Sequence, residues 1–210
     1  DNVIPPRGFL PLEIGCVVTL LPEREMRERF VDRRFGYHVI SFLDYSQNPY
    51  RAESDSIIRK WNLGITEGSR GEYRKGKLVN PSHPLVFYID TCCPSEFVPY
   101  IKEGVLAWNA AFEKAGFKNA LRVKMADSKT VLEEQRAVIA YDLHEAGIRT
   151  GYTFHPKTGE ILSCRVNIGH GFLPKELWRY VLECGTVDDR IRKEFFHPDV
   201  VGEILRSKVI

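Results

Sequence analysis

Six histidines, His38, His83, His144, His155, His170 and His197, are the side chains best suited to hold a metal or move a proton near neutral pH. A helical zinc site needs two of them four residues apart on one face, with a further ligand close by. No two of the six stand at that spacing, and His144-Glu145, which begins such a motif, runs on as His-Glu-Ala-Gly-Ile without a second histidine. No metal ligand is therefore assigned within residues 1–210. Nucleophile chemistry has no better footing, since the text holds no Gly-x-Ser-x-Gly elbow, no P-loop and no Gly-x-Gly-x-x-Gly. Asp188-Asp189 and Glu133-Glu134 are adjacent carboxylates, which point apart on a helix or strand and read as solvated charge. The five cysteines (Cys16, Cys92, Cys93, Cys164, Cys184) include no Cys-x-x-Cys and read as buried free thiols. On these residues alone the chain is a globular α/β domain with no catalytic residue of its own.

The elements that would position a site are clearer. Leu85–Asp90 is a short apolar run bounded by Pro84 and the Thr-Cys-Cys-Pro turn, hence a buried strand. Phe97, Ile101, Val105, Trp108, Phe112 and Ala115 then recur at three- and four-residue spacing as one helical stripe, opened near Pro99 and closed by Gly116. Strands are expected at 120–126 and 137–143. From 160 to 168, Leu162, Cys164, Val166 and Ile168 alternate with Ser163, Arg165 and Asn167, the pattern of a half-exposed or edge strand. A helix follows over 173–185. Pro198 and Asp199 open a last one, with Val201, Ile204, Leu205 and Lys208 on one face and no closing Gly, Asn or Pro behind them.

Upstream, strand-like runs at 16–21 and 37–44 are separated by charged text, and 62–84 is a polar, glycine-rich excursion. These features divide the chain into a strand-rich region and linker at 1–80 and an α/β unit at 81–210. The expected fold class is α/β (α+β), a mixed twisted sheet with a long backing helix. Thirty basic and twenty-eight acidic side chains leave a formal charge of +2, which gives no field for nucleic acid. No segment reaches the ~18 apolar residues of a membrane span, and Asp1–Phe9 is not a signal peptide, so the sequence begins after any targeting segment or never had one.

Longer motifs carry a resemblance. Val86–Asp90 (VFYID) leads into Trp108-Asn109, Ala111-Phe112 and Ala115-Gly116-Phe117, and this wording resembles secreted bacterial zinc-dependent metalloproteases of the metzincin clan. There a strand ending Tyr-Ile-Asp precedes a helix reading W-N-x-A-F-x-x-A-G-F. LLPEREM at 20–26 and DRRFGY at 32–37 resemble the family's preceding region, PKTGEIL at 156–162 its turn into the edge strand, and VVGEILR at 200–206 the opening of its zinc helix.

The resemblance implies a metzincin-like upper subdomain at 81–210 and a secreted, periplasmic or cell-surface location. It implies zinc in the parent enzyme, with the His-Glu-x-x-His motif starting directly after Ile210, so that residues 1–210 alone are an inactive scaffold. It implies a peptide or protein substrate lying along the edge strand, which makes Ser163, Arg165 and Asn167 the candidate substrate-binding positions. The other expectation is a non-catalytic module that uses the same sheet edge to hold a peptide or partner domain.

Overall fold

The computed structural model describes residues 18–127, apart from 24 and 33, and residues 137–209. Cys16 and the carboxylates Glu133-Glu134 lie outside the described residues. The amino-terminal part is a two-stranded antiparallel ribbon, β1 (Val39–Asp44) with β2 (Glu53–Ile58). β2 is polar and exposed at its start and ends on the buried pair Ile57 and Ile58, which anchors the ribbon. Residues 18–21, expected as part of a strand, have no regular structure. The excursion that follows contains a short helix, α1 (Arg70–Arg74).

Five strands make the main sheet: β3 (Leu85–Ile89), β4 (Leu121–Met125), β5 (Ala137–Asp142), β6 (Ile148–Phe154) and β7 (Ile161–Gly169), in the spatial order β4-β3-β5-β7-β6. β4, β3, β5 and β7 run parallel, and β6 is antiparallel to β7. The sheet is mixed, and helices back it, which establishes the α/β class. One face buries Ile89, Ile139 and Ile168 against α2 (Val98–Ala107), α4 (Phe172–Cys184) and α6 (Pro198–Val209). Ile101, Leu177 and Leu205 complete this core at 0–1% exposure, each worth about 1.5–3 kcal/mol of burial.

The backing helix follows its sequence stripe over the first half and departs from it over the second. α2 gives way at Trp108 to α3 (Asn109–Lys114), and Trp108 is 45% exposed rather than core. Asn109 supplies the reason. Its side-chain amide donates to the Leu121 carbonyl and its side-chain oxygen accepts the Leu121 N–H at 2.9 Å, so the helix side chain completes the backbone bonding of β4's first residue. Gly116 closes α3 at φ +91°, with Phe117 N–H donating to the Phe112 carbonyl and Gly116 N–H to that of Glu113; this is the six-to-one closure a glycine permits.

α6 lies directly on α2. A Cβ on Gly104 would sit 2.7 Å from the Arg206 carbonyl oxygen, and one on Gly202 would sit 2.3 Å from the Tyr100 ring. Both glycines are there for close approach, and Val200, Val201, Ile204 and Leu205 bury the seam. α5 (Asp189–Lys193) is tied in by a polar network that corrects the expectation of solvated charge at Asp188. That carboxylate caps α5 through the Arg190 N–H, accepts the Tyr180 hydroxyl at 2.8 Å and pairs with the Arg190 guanidinium, which also reaches Glu203 on α6. Asp189 is exposed and pairs with Arg192. Among the described residues no helix is long and apolar enough to cross a membrane.

Candidate functional site

The sheet edge is formed by a different strand from the one the alternation suggests. β7 is interior, paired with β5 on one side from Ala137↔Cys164 to Asp142↔Gly169 and with β6 on the other. Its backbone groups are taken on both sides, so the assignment of 160–168 as an edge strand is corrected, and Ser163, Arg165 and Asn167 cannot hold a peptide through β7 itself. All three project from the sheet face opposite the helices. Ser163 is buried, Arg165 is exposed, and Arg165 Nε donates to Asn167 Oδ1 at 3.1 Å. The alternation was real, but it marks a face with polar side chains and not an open backbone.

The antiparallel edge is β6. Gly169 N–H donates to the Gly147 carbonyl, which makes the opposed residues 147 and 169 a bonded pair. Bonded and non-bonded pairs alternate along an antiparallel ladder. Arg149↔Asn167 and Gly151↔Arg165 are then bonded inward, and Ile148, Thr150 and Tyr152 direct their N–H and C=O groups outward. Among the described residues no strand pairs with that outer edge. The strand's middle is exposed throughout, and a Cβ at Gly151 would meet nothing within 4 Å. An extended chain can approach it closely.

The far end of β6 is held in place. Arg59 lies over the rings of Tyr152 and Phe154, 5.6 and 5.8 Å from their centroids. Burial, then the neighbouring Cys164, pushes the Tyr152 phenol up, and burial pushes the Cys164 thiol up to about 11. The 155–160 turn docks on the end of β2 and the segment after it: Gly159, at φ +70°, would place a Cβ 2.3 Å from the Ile58 carbonyl, and Ile161 N–H donates to the Lys60 carbonyl. His155, the only buried histidine among the described residues, organises this turn by accepting the Lys157 and Thr158 N–H groups at Nδ1. With Nδ1 an acceptor, a neutral ring carries its proton on Nε2, which faces Glu25 at 3.6 Å.

Three of the remaining histidines are engaged locally through their side chains: His83 with Ser82, His170 with the Tyr141 hydroxyl at 2.8 Å, and His197 with the Asp199 N–H. Among the described residues no three His, Cys, Asp or Glu side chains converge as a metal site. The zinc that the sequence resemblance implies therefore has no fitting ligand set within them. Sequence reasoning missed β6 itself; its one signal was Ile148, Thr150, Tyr152 and Phe154 at period two within a polar run.

The architecture defines the class: a parallel α/β sheet closed on one side by an exposed antiparallel edge strand. A family model described as a domain of unknown function (DUF5117) matches residues 8–66, which covers the β1–β2 ribbon and stops before the main sheet. No curated protein and no solved structure matches the chain.

Proposed function

We propose that residues 1–210 are the amino-terminal scaffold of a zinc-dependent endopeptidase, with the zinc ligands and general base supplied by sequence following Ile210. The observation that carries this reading is the open antiparallel edge of β6, which offers three outward N–H and C=O groups at alternate residues. An extended peptide pairs with such an edge through main-chain hydrogen bonds, so a sheet of this kind holds a polypeptide with little regard to its sequence. The seating of α6 supports the same reading. Gly104 receives the Arg206 backbone and Gly202 receives the Tyr100 ring, which seats the helix on α2 and fixes the direction in which it would carry ligands onward.

In this reading the chain's own groups bind and align substrate. The β6 backbone holds the peptide extended, and the Arg59, Tyr152 and Phe154 stack keeps the strand end rigid. Zinc, when bound by the following residues, would supply the activated water. Residues 1–210 alone are then inactive, and location outside the cytoplasm belongs to the same proposal. The test is hydrolysis of an unstructured protein substrate by the 210-residue chain and by a chain extended through its natural continuation. Chelator-sensitive cleavage by the longer chain alone is the expected result; no cleavage by the longer chain, with zinc supplied, overturns it. The second reading is a non-catalytic module that uses the β6 edge to hold a peptide or partner domain. It rests on the same edge and on the exposed Trp178, Leu182 and Phe196 in the helical layer, and it predicts peptide binding without cleavage in either chain.

A further inference from the structure

A larger concavity, about 1340 Å³, opens between the amino-terminal region and the amino ends of the parallel strands. Leu85, Ala137 and Ile161, the first residues of β3, β5 and β7, line its sheet side, and Trp61 and Asn62 line the other. Glu160, 8% exposed, stands in its wall. The chain fixes that residue firmly, since Lys60 and Glu160 form a parallel bridge and the Glu160 carbonyl accepts the His155 N–H at 2.8 Å. Its carboxylate is served on one side only. Oε1 accepts the Asn62 side-chain N–H at 2.9 Å, and Oε2 is buried with no hydrogen-bond partner among the described residues.

A buried carboxylate oxygen without a donor is expensive, and such groups are matched in nearly every folded protein. The Lys60 ammonium is pushed down by burial and then by Arg29 and Arg27, the opposite of what an ion pair with Glu160 would do. Glu25 and Glu67 also line the cleft, beside the guanidinium of Arg70. Asn62 already occupies Oε1, which leaves one oxygen and not the two-oxygen face that a guanidinium fork requires. A point-charge donor suits it better.

We infer that this cleft binds an alkylammonium group, of the kind a lysine side chain carries, on the unpartnered oxygen of Glu160, with the aliphatic stem against Trp61. The site is separate from the β6 edge and does not depend on the chain being catalytic. Oε2 is screened from bulk water, so the ammonium reaches it as the carboxylate turns about its broad terminal torsion and the Asn62 side-chain amide follows Oε1.

The test titrates three probes into the whole 210-residue chain: the blocked amino-acid amides Nα-acetyl-lysine, Nα-acetyl-arginine and Nα-acetyl-norleucine methylamide. Binding is read from the Trp61 indole and Asn62 side-chain amide resonances. The lysine probe is expected to shift both and to bind about tenfold or more tightly than norleucine, the size of one charge-assisted hydrogen bond, with arginine weaker than lysine. Glu160→Gln should abolish the lysine preference. The wild-type comparison of lysine with norleucine stands even if that variant fails to fold. Equal binding of lysine and norleucine, a preference for arginine, or no shift of either resonance up to the solubility limit of the probes overturns the inference.

Discussion

Replacing Gly104 by alanine tests the α2–α6 seam that carries the helical layer. The added Cβ would stand 2.7 Å from the Arg206 carbonyl oxygen, with the Arg206 Cα at 3.4 Å and its carbonyl carbon at 3.5 Å. The obstacle is backbone, so no side chain can swing aside. Opening the contact from 2.7 to an ordinary 3.4 Å displaces α6 by roughly 0.7 Å, enough to forfeit about a quarter to a half of the dispersion energy at each contact it loosens. Overpacking of this kind costs about 1–3 kcal/mol, and the rigidity of the obstacle places it in the upper half of that range. Alanine returns about 1 kcal/mol of helix propensity. The net loss is roughly 1–2 kcal/mol, or about 2–8 °C in Tm for a chain of this size. Gly71 is the internal control, since it also lies in a helix, α1, but a Cβ there meets nothing within 4 Å. Gly71→Ala should hold or raise Tm by up to about 4 °C. Thermal unfolding followed by circular dichroism reads both, and a Gly104→Ala protein as stable as wild type would refute the packing argument.

Asn109→Ala removes both bonds to Leu121 and should cost about 1–3 kcal/mol in a urea titration; an unchanged midpoint would mean that β4 does not need the clamp. The Arg190 guanidinium, with the Arg190 N–H and the Tyr180 hydroxyl, holds the Asp188 carboxyl well below the usual carboxylate range. A depressed pKa gives stability that is full above the ordinary aspartate value, about 3.9, and is lost as pH falls from there toward the folded value. Asp188→Asn should therefore flatten the acid side of the stability profile, and an unaltered slope below about pH 4 counts against the network. Iodoacetamide at pH 8 should label the exposed Cys92 and spare Cys93 and Cys164, whose thiols burial raises to about 11; peptide mapping showing Cys164 modified in the native protein would contradict the burial. An extended peptide bound at β6 should slow hydrogen exchange at the Thr150 and Tyr152 amides and leave Gly151 unchanged; slowing at Gly151 in preference to its neighbours would show the ladder parity to be reversed.

Much of the fold could be read from local pattern. The stripe through Ile101 and Val105, the apolar runs of β3 and β5 and the spacing of Val201, Ile204 and Leu205 each name a buried face, and burial follows. Gly116 closes its helix as a glycine should. Pattern fails where tertiary neighbours decide. Trp108 continues the stripe on paper, yet Asn109 reaches across to Leu121, divides the helix there and leaves the indole at the surface. β6 is polar, exposed and interrupted by Gly151, so its alternation is faint, and its presence turns β7 from edge to interior. Ser163, Arg165 and Asn167 are candidates because the resemblance lays a peptide along their strand and they stand on its polar face, but sheet order is what exposes a backbone, and no residue pattern within β7 encodes it. Asp188 looked solvated because its partner Tyr180 stands on another helix. The single-sided bonding of Glu160 is equally invisible in the text, where PKTGEIL reads only as a turn entering a strand.

The most direct measurement of the proposed function is the coding sequence that follows Ile210 in the gene. A scaffold for a zinc endopeptidase predicts His-Glu-x-x-His beginning at the next codon, placing two histidines four residues apart on the continued face of α6. A different continuation, or a stop codon at that position, would contradict it and leave the non-catalytic binding module as the reading of the β6 edge.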